Sequence, residues 1–492
     1  MDLRNVAGVV GLLLLFIALS MLVGGGVGLL YGDGAAAAFF LYSLITAMVG
    51  FAVWRLFPPA AGDLTAREGF AIVTFSWTAT GIAGALPFRL SGVADSFPRA
   101  VFESMSGFTT TGATIFGSIE TLPHAILFWR SLTHWMGGMG IIVLAIAILP
   151  YLGVGGMQLF RAEVPGPTPE RLRPRITQTA KFLWLVYVGL TFLQVLLYLA
   201  GGMGWFDAIN HAMSTLATGG FSTQDDSMAG YSAWIQWVTI LFMYLAGVNF
   251  ALHFRAASGR PVYWKDAEWR FFTAVVVGVG LLVAGMNLVG GGYGWSVAGL
   301  EMAVRDGLFQ ATSIATTTGF VSADYAGWVA PSQALLLTLF FLGGMAGSTG
   351  GGIKAIRILL LLKHTGNELR RQLHPRAILL VRVGRHVVRE DVMATVLGFV
   401  ILYVLLLLSG AVAISLFGND LLTSLAASAA TVGNIGPGFG GVGPVENYGW
   451  MSDPELLILC FLMVAGRLEI YTVLLLLRPE FWRRGRRGVV TE

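Results

Sequence analysis

Four short stretches of the chain are rich in threonine and glycine: FTTTGA at 108–113, LATGGF at 216–221, ATTTGF at 315–320 and a looser ATVGNI at 430–435. Loops of this kind can turn peptide oxygens to one side, because glycine adopts backbone angles that a Cβ would forbid. A ring of such oxygens replaces the hydration shell of a cation, and threonine hydroxyls can add further ligands. The chemistry open to these residues is therefore coordination. Taking the glycine after the second or third threonine-like position as equivalent, Gly112, Gly219, Gly319 and Gly433 follow one another at intervals of 107, 100 and 114 residues. A period near a hundred residues is too long for a solenoid and suits a multi-helix unit copied four times. Catalysis has no comparable support, since no Ser/His/Asp set or carboxylate pair stands out. The single Cys460 excludes an internal disulfide framework, and the seven histidines lack metal-ligand spacing.

The elements that must position these loops read alike in each copy. Long apolar runs near 69–87, 180–201, 270–290 and 392–417 come first, and others near 124–150, 231–253, 331–362 and 454–477 follow the loops. Between them lie short runs that begin at Pro98, Asp207, Asp306 and Asp420, residues suited to a helix cap or first turn. Each short run spans 12 to 14 residues before its glycine. At about 1.5 Å per residue that is roughly 20 Å, too short for a hydrocarbon core of about 30 Å. Such a segment enters the membrane and turns back. Irregular backbone at that depth is tolerated only beside protein or a water-filled cavity, so four such loops are expected to ring one axis. The four half-helix C-termini would point partial negative charge at it. The competing reading makes these glycines helix-packing residues, and 65 glycines are available for that. Four copies after four matched half-helices favour the ring.

Composition agrees, with 55% hydrophobic and 12% charged residues in a chain of 492. That balance places the chain among polytopic helical membrane proteins. Two leading apolar runs, Val6 to Leu30 and Ala35 to Leu56, are expected to be retained spans rather than a signal segment. Basic residues cluster at Arg4, 54–68, 151–181, 253–270, 354–389 and 478–487, which hold 26 of the 31 Lys and Arg. These segments alternate with poorly basic ones, so the positive-inside rule puts them on one cytoplasmic face with both termini. Contact with anionic lipid is one sufficient cause of such a face. The nine basic residues of 354–389 exceed what a connector requires and suggest a docking surface for a soluble partner.

The stretches SGFTTTGATIF, STLATGGFST, SIATTTGFVSADY and ATVGNIGPGFG, with GGMAGSTGGGIK at 343–354 and GRLEIY at 466–471, closely resemble the Trk/Ktr/HKT superfamily of potassium transporters. The likeness covers the whole chain, and the two leading spans resemble the TrkH type. It implies an all-α polytopic fold with four pseudo-fourfold helix, pore-helix, helix repeats around one pore. Expected units are 1–66 for the leading spans, then repeats at 67–152, 153–260, 261–368 and 369–492. The resemblance implies potassium as the transported ion, bound at Thr110, Thr111, Gly112, Thr218, Gly219, Thr317, Thr318, Gly319, Val432, Gly433 and Asn434. The fourth copy departs from the others at Val432 and Asn434, which puts strict fourfold coordination in doubt. The resemblance further implies a homodimer in the bacterial inner membrane. Cytosolic TrkA-type subunits would bind the regulatory nucleotide, for which this chain has no site of its own, and no covalent cofactor or nucleic acid is expected.

Six glycines in GGMAGSTGGGIK cannot sustain a regular helix, so the third copy's second run should break around a mobile loop. The resemblance implies that this loop lies under the filter as a gate, made of Gly343, Gly344, Gly347, Ser348, Thr349, Gly350, Gly351 and Gly352. Arg467, inside the last apolar run, costs at least about 2.5–3.5 kcal/mol if it faces lipid, so it should face a partner or water. Glu469 is two residues on and a poor partner. Arg467 is read either as a packing anchor or, with the resemblance, as an electrostatic barrier below the filter. Glu103, His134 and His211 read as satisfied structural polar groups. Gly347 and Gly352 have phosphate-loop spacing, but Ile353 and Lys354 stand where Lys and Ser or Thr belong. The alternative to a channel-like path is an ion-coupled secondary transporter, which predicts two corresponding helix interruptions rather than four loops.

Overall fold

The computed structural model describes residues 2–59, 65–147, 172–259, 262–384 and 386–483. The basic segment 151–171, the boundary placed at 152/153, Arg260, Arg385 and the basic residues of 484–487 lie outside that description. Apart from turns and loops, the described chain is helical except for a small antiparallel hairpin, β1 (Arg382–Val383) with β2 (His386–Val387).

Two helices lead, α1 (Leu3–Tyr31) and α2 (Ala36–Leu56). Their backbones meet closely because neither Gly11 nor Gly50 carries a side chain: a Cβ on Gly11 would lie 2.7 Å from the Trp54 nitrogen. Small residues are how membrane helices gain such contact. In the first repeat α3 (Ala66–Gly84) and the short α4 (Leu86–Leu90) precede the half-helix α5 (Phe97–Phe108) and the return helix α6 (His124–Ala147). The second comprises α7 (Leu172–Ala200), α8 (Trp205–Leu216), α9 (Ala233–Gly247) and α10 (Phe250–Ala257). The third comprises α11 (Ala267–Val289), α12 (Val297–Ala315), α13 (Ala330–Leu339) and α14 (Ala355–Leu373). The fourth comprises α15 (Glu390–Ser415), α16 (Leu421–Gly433), α17 (Asp453–Arg467) and α18 (Tyr471–Leu476), before a last turn α19 (Pro479–Trp482). By length and composition, six helical stretches among the described residues are long and apolar enough to cross a membrane.

Three of the half-helices are 12, 12 and 13 residues long. The third differs from expectation: it has 19 residues and starts at Val297, capped by Ser296 accepting from the Gly299 amide. Asp306 is therefore mid-helix. Its carboxylate takes hydrogen bonds from the Tyr293 and Ser322 hydroxyls instead of capping.

Broken return limbs are a second difference. The break expected between α13 and α14 is present, and breaks also occur in repeats two and four. The pair α9 and α10 bends by 103°, where Val248 is extended and the Asn249 side chain accepts from the Ala251 amide to start a new helix. Between α17 and α18, Glu469 (φ 63) and Ile470 (φ 48) are left-handed. Neither break carries a proline, and only the third has a glycine run.

Candidate ion-coordination site

Each half-helix ends in the same hydrogen-bond pattern. After α5, the Thr110 amide donates to Gly107 O and the Thr111 amide to Ser106 O; after α8, Thr218 to Thr215 O and Gly219 to Ser214 O. After α12 the pairs are Thr317 to Ile314 O and Thr318 to Ser313 O, and after α16 Asn434 to Thr431 O and Ile435 to Ala430 O. This is the Schellman arrangement, whose turning residue is left-handed. That residue is Thr110 (φ 52), Thr218 (φ 54), Thr317 (φ 59) and Asn434 (φ 54). Left-handed conformation in a β-branched residue costs on the order of 1–3 kcal/mol, whereas asparagine adopts it more readily.

Two residues further on stands a glycine with positive φ in every copy: Gly112, Gly220, Gly319 and Gly436. These four close a ring. A Cβ on Gly112 would collide with the Gly219 carbonyl oxygen, one on Gly220 with Thr318 O, one on Gly319 with Ile435 O and one on Gly436 with Thr111 O. The four carbonyls thus belong to equivalent residues, each beside the glycine of an adjoining repeat. Thr111, Gly219, Thr318 and Ile435 are buried, and no donor among the described residues bonds their oxygens. Buried peptide carbonyls rarely go unpaired. Four of them in one closed cycle are an arrangement of the kind that can coordinate a cation.

This register corrects the spacing read from sequence. Thr110, Thr111, Gly112, Thr218, Gly219, Thr317, Thr318, Gly319 and Asn434 do come together. Gly219 corresponds to Thr111 rather than to Gly112, and Val432 and Gly433 belong to the last turn of α16. Asn434 occupies the threonine position. Gly220, Ile435 and Gly436 complete the ring and were missed. Setting Phe221 opposite Phe320 would have found Gly220, since both follow the ring glycine directly.

Polar struts hold the ring from behind. Glu103 accepts from the Ile115 amide (3.0 Å) and the Thr114 hydroxyl (3.0 Å), and pairs with Arg130 Nε at 2.8 Å. Both partners are buried. Arg130 also donates to Ser222 O at 3.0 Å and lies 4.0 Å over the Phe221 ring, so it joins repeat one to repeat two. At the matching level of α8, His211 Nε2 meets Ser222 Oγ at 2.9 Å and its Nδ1 meets Asp207 O at 2.8 Å. His134 meets Ser214 Oγ through Nδ1 (2.9 Å) and stacks on Phe221. Thus Glu103 and His211 brace the strands behind the ring, and Arg130, absent from the sequence reading, carries the first junction. Three further contacts join the copies: Met228 N to Val321 O (2.9 Å), Tyr325 Oη to Gly438 O (3.0 Å) and Tyr448 N to Thr114 O (2.8 Å).

On the helix side of the ring lies the glycine-rich loop between α13 and α14. Its Gly351 amide donates to Thr317 Oγ1 at 2.7 Å, and a Cβ on Gly351 would lie 2.7 Å from Gly433 O and 2.9 Å from Asn434 Cβ. Thr349 Oγ1 donates to Leu216 O or Ala246 O, at 3.0 and 3.1 Å. Gly347 O accepts from the Phe250 amide at the α9–α10 break. Gly343 and Lys354 bridge the loop's stem, and Lys354 Nζ bonds Gly350 O inside it. Arg467, 2% exposed, donates through Nη1 to Thr349 O at 2.8 Å; its Nε and Nη2 have no partner among the described residues. Glu469 turns away from it and lies 2.5 Å from Arg357, itself stacked 3.9 Å over Phe399. Arg467 therefore contacts the loop directly instead of anchoring to its own helix.

Comparison with known proteins gives the family. The family model described as TrkH, cation transport protein, matches residues 35–484. The Trk system potassium uptake protein TrkH of Escherichia coli K12 is 43% identical over 98% of this chain and 100% of its own. The E. coli K12 protein TrkG, also named a Trk system potassium uptake protein, is 35% identical over 98% of this chain and 99% of its own. The crystal structure of the potassium transporter TrkH from Vibrio parahaemolyticus superposes with a TM-score of 0.90 at 41% identity, covering 98% of this chain and 100% of that one. Matched by that family model over most of its length and by these relatives nearly end to end, the chain belongs to the TrkH family of cation transport proteins.

Proposed function

We propose that this protein takes up potassium through a channel-like path in which Thr111, Gly219, Thr318 and Ile435 carbonyls, with Thr110, Gly112, Thr218, Gly220, Thr317, Gly319, Asn434 and Gly436, form the selectivity filter. By its family it is a multi-pass membrane transporter and not an enzyme. The observation that carries the reading is the closed cycle of four equivalent, buried carbonyls without donors among the described residues. Oxygens held by neighbouring backbone can take the place of hydration water without reorganising. The relatives named as potassium uptake proteins supply the ion's identity.

The loop 343–354 is the gate, and Arg467 adds a fixed positive charge beneath the filter that opposes cation passage. The chain works as a homodimer in the bacterial inner membrane with both termini in the cytoplasm. Lys363, Arg370 and Arg371 on α14, with the hairpin at 382–387, form the surface for a cytosolic nucleotide-binding regulatory subunit; the nucleotide is held there and not by this chain.

Uptake of rubidium into vesicles reconstituted with the purified protein tests this. Uptake should be competed by potassium and much less by sodium. Equal competition by both would overturn the filter assignment, and uptake driven by a proton gradient without any potassium gradient would favour a coupled transporter.

A further inference from the structure

Glu268 sits in the first turn of α11, 8% exposed, and faces the glycine-rich loop rather than solvent. Its Oε1 accepts two backbone hydrogen bonds, from the Ala346 amide at 2.8 Å and from the Ile356 amide at 3.0 Å. Those amides flank the segment that carries Thr349 and Gly351, the residues bonded to Arg467 and Thr317. One carboxylate oxygen thus ties together both stems of the loop from a different helix. The bridge of Gly343 with Lys354 and the bond from the Ala355 amide to Gly344 O lie between the same stems. Neither of those contacts reaches α11, so Glu268 is the polar link from the loop to the first limb of its own repeat.

Packing alone does not call for a carboxylate here, because a buried charge is costly and an apolar side chain would fill the space as well. What the Glu268 side chain adds is one acceptor oxygen that holds two amides, N–H groups that a polar, glycine-rich loop would otherwise turn to water. Displacing the loop from beneath Thr317 moves its stems. At least one of the two bonds must then break or swing.

We propose that Glu268 is a positioning residue that holds the loop in its closed place, and that opening releases at least one of these amides from its carboxylate. The inference rests on the reading of 343–354 as the gate.

The test uses the full-length protein in vesicles, with Glu268→Ala and Glu268→Gln beside Arg467→Ala. Basal rubidium uptake is measured together with the rate at which an impermeant maleimide labels Ser348→Cys in a Cys460→Ala background. Glu268→Ala is expected to raise uptake by about tenfold, the shift from losing one hydrogen bond to the closed state. Glu268→Gln keeps an acceptor and should raise it less, by roughly two- to threefold. Labelling at position 348 should quicken in the same order, with the preference for potassium over sodium unchanged. A purely structural role would lower uptake and leave labelling of folded protein as it was, and that result overturns the proposal. If Glu268→Ala does not fold, Glu268→Gln decides by the same two readouts. Faster uptake in Arg467→Ala with no response from the Glu268 variants would discard the clamp and keep the gate; no response from any variant would discard the gate.

Discussion

At Gly436 the ring leaves no room for a side chain, since a Cβ would lie 2.6 Å from the Thr111 carbonyl oxygen. At Gly433 a Cβ would meet only side-chain atoms, the nearest being Ile435 Cδ1 at 3.0 Å. Gly436→Ala should therefore abolish rubidium uptake or its preference for potassium, while Gly433→Ala keeps most of both. Equal loss from the two would mean that Gly436 is not the fourth ring glycine. Behind the ring, Glu103 and Arg130 are a buried ion pair, in which removing one partner strands the other charge. Arg130→Met should cost about 3–5 kcal/mol and lower the thermal midpoint in detergent, and pairing it with Glu103→Gln should recover part of that loss.

The broken limbs are the elements that bring the loop to the ring. The α9–α10 bend supplies Phe250 to Gly347 O, the α13–α14 break supplies the loop, and the α17–α18 break leaves Arg467 against Thr349 O. An unbroken helix would keep the Phe250 amide in its own ladder, so the α9–α10 break converts a span into a hydrogen-bond donor to the loop. In the proposed function the final turn of α17 is part of the gate. Arg467→Ala removes both a bond to the loop and a buried positive charge beside it, and should raise uptake by about tenfold at equal expression. Unchanged or lower uptake would assign Arg467 to packing.

At the scale of the whole molecule, the four repeats close on one another within a single chain. Arg130, Met228, Tyr325 and Tyr448 carry the four junctions, and no junction waits for a second copy. In the proposed homodimer each protomer would then have its own conduit. In vesicles made from mixed wild-type and Gly436→Ala protein, uptake should fall in proportion to the variant fraction. A steeper fall, in which one altered protomer silences its partner, would contradict independent pores.

Much of this was legible in the chain itself. Apolar runs, three short half-helices, the glycine run that breaks the third return limb and the family likeness are local signals, written within ten to thirty neighbouring residues, where helix length and periodicity are decided. The register of the ring was not. It depends on which carbonyl of one repeat meets which glycine of the next, residues about a hundred positions apart, and Gly219 and Gly433 offered nearer but false matches to the pattern. The breaks at Asn249 and Glu469 were hidden for the same reason: no glycine run or proline marks them, and the partners that stabilise them, Gly347 O for one and Arg357 for the other, come from a different repeat. Sequence determined that four re-entrant loops exist. Only the tertiary contacts decided which oxygens they share.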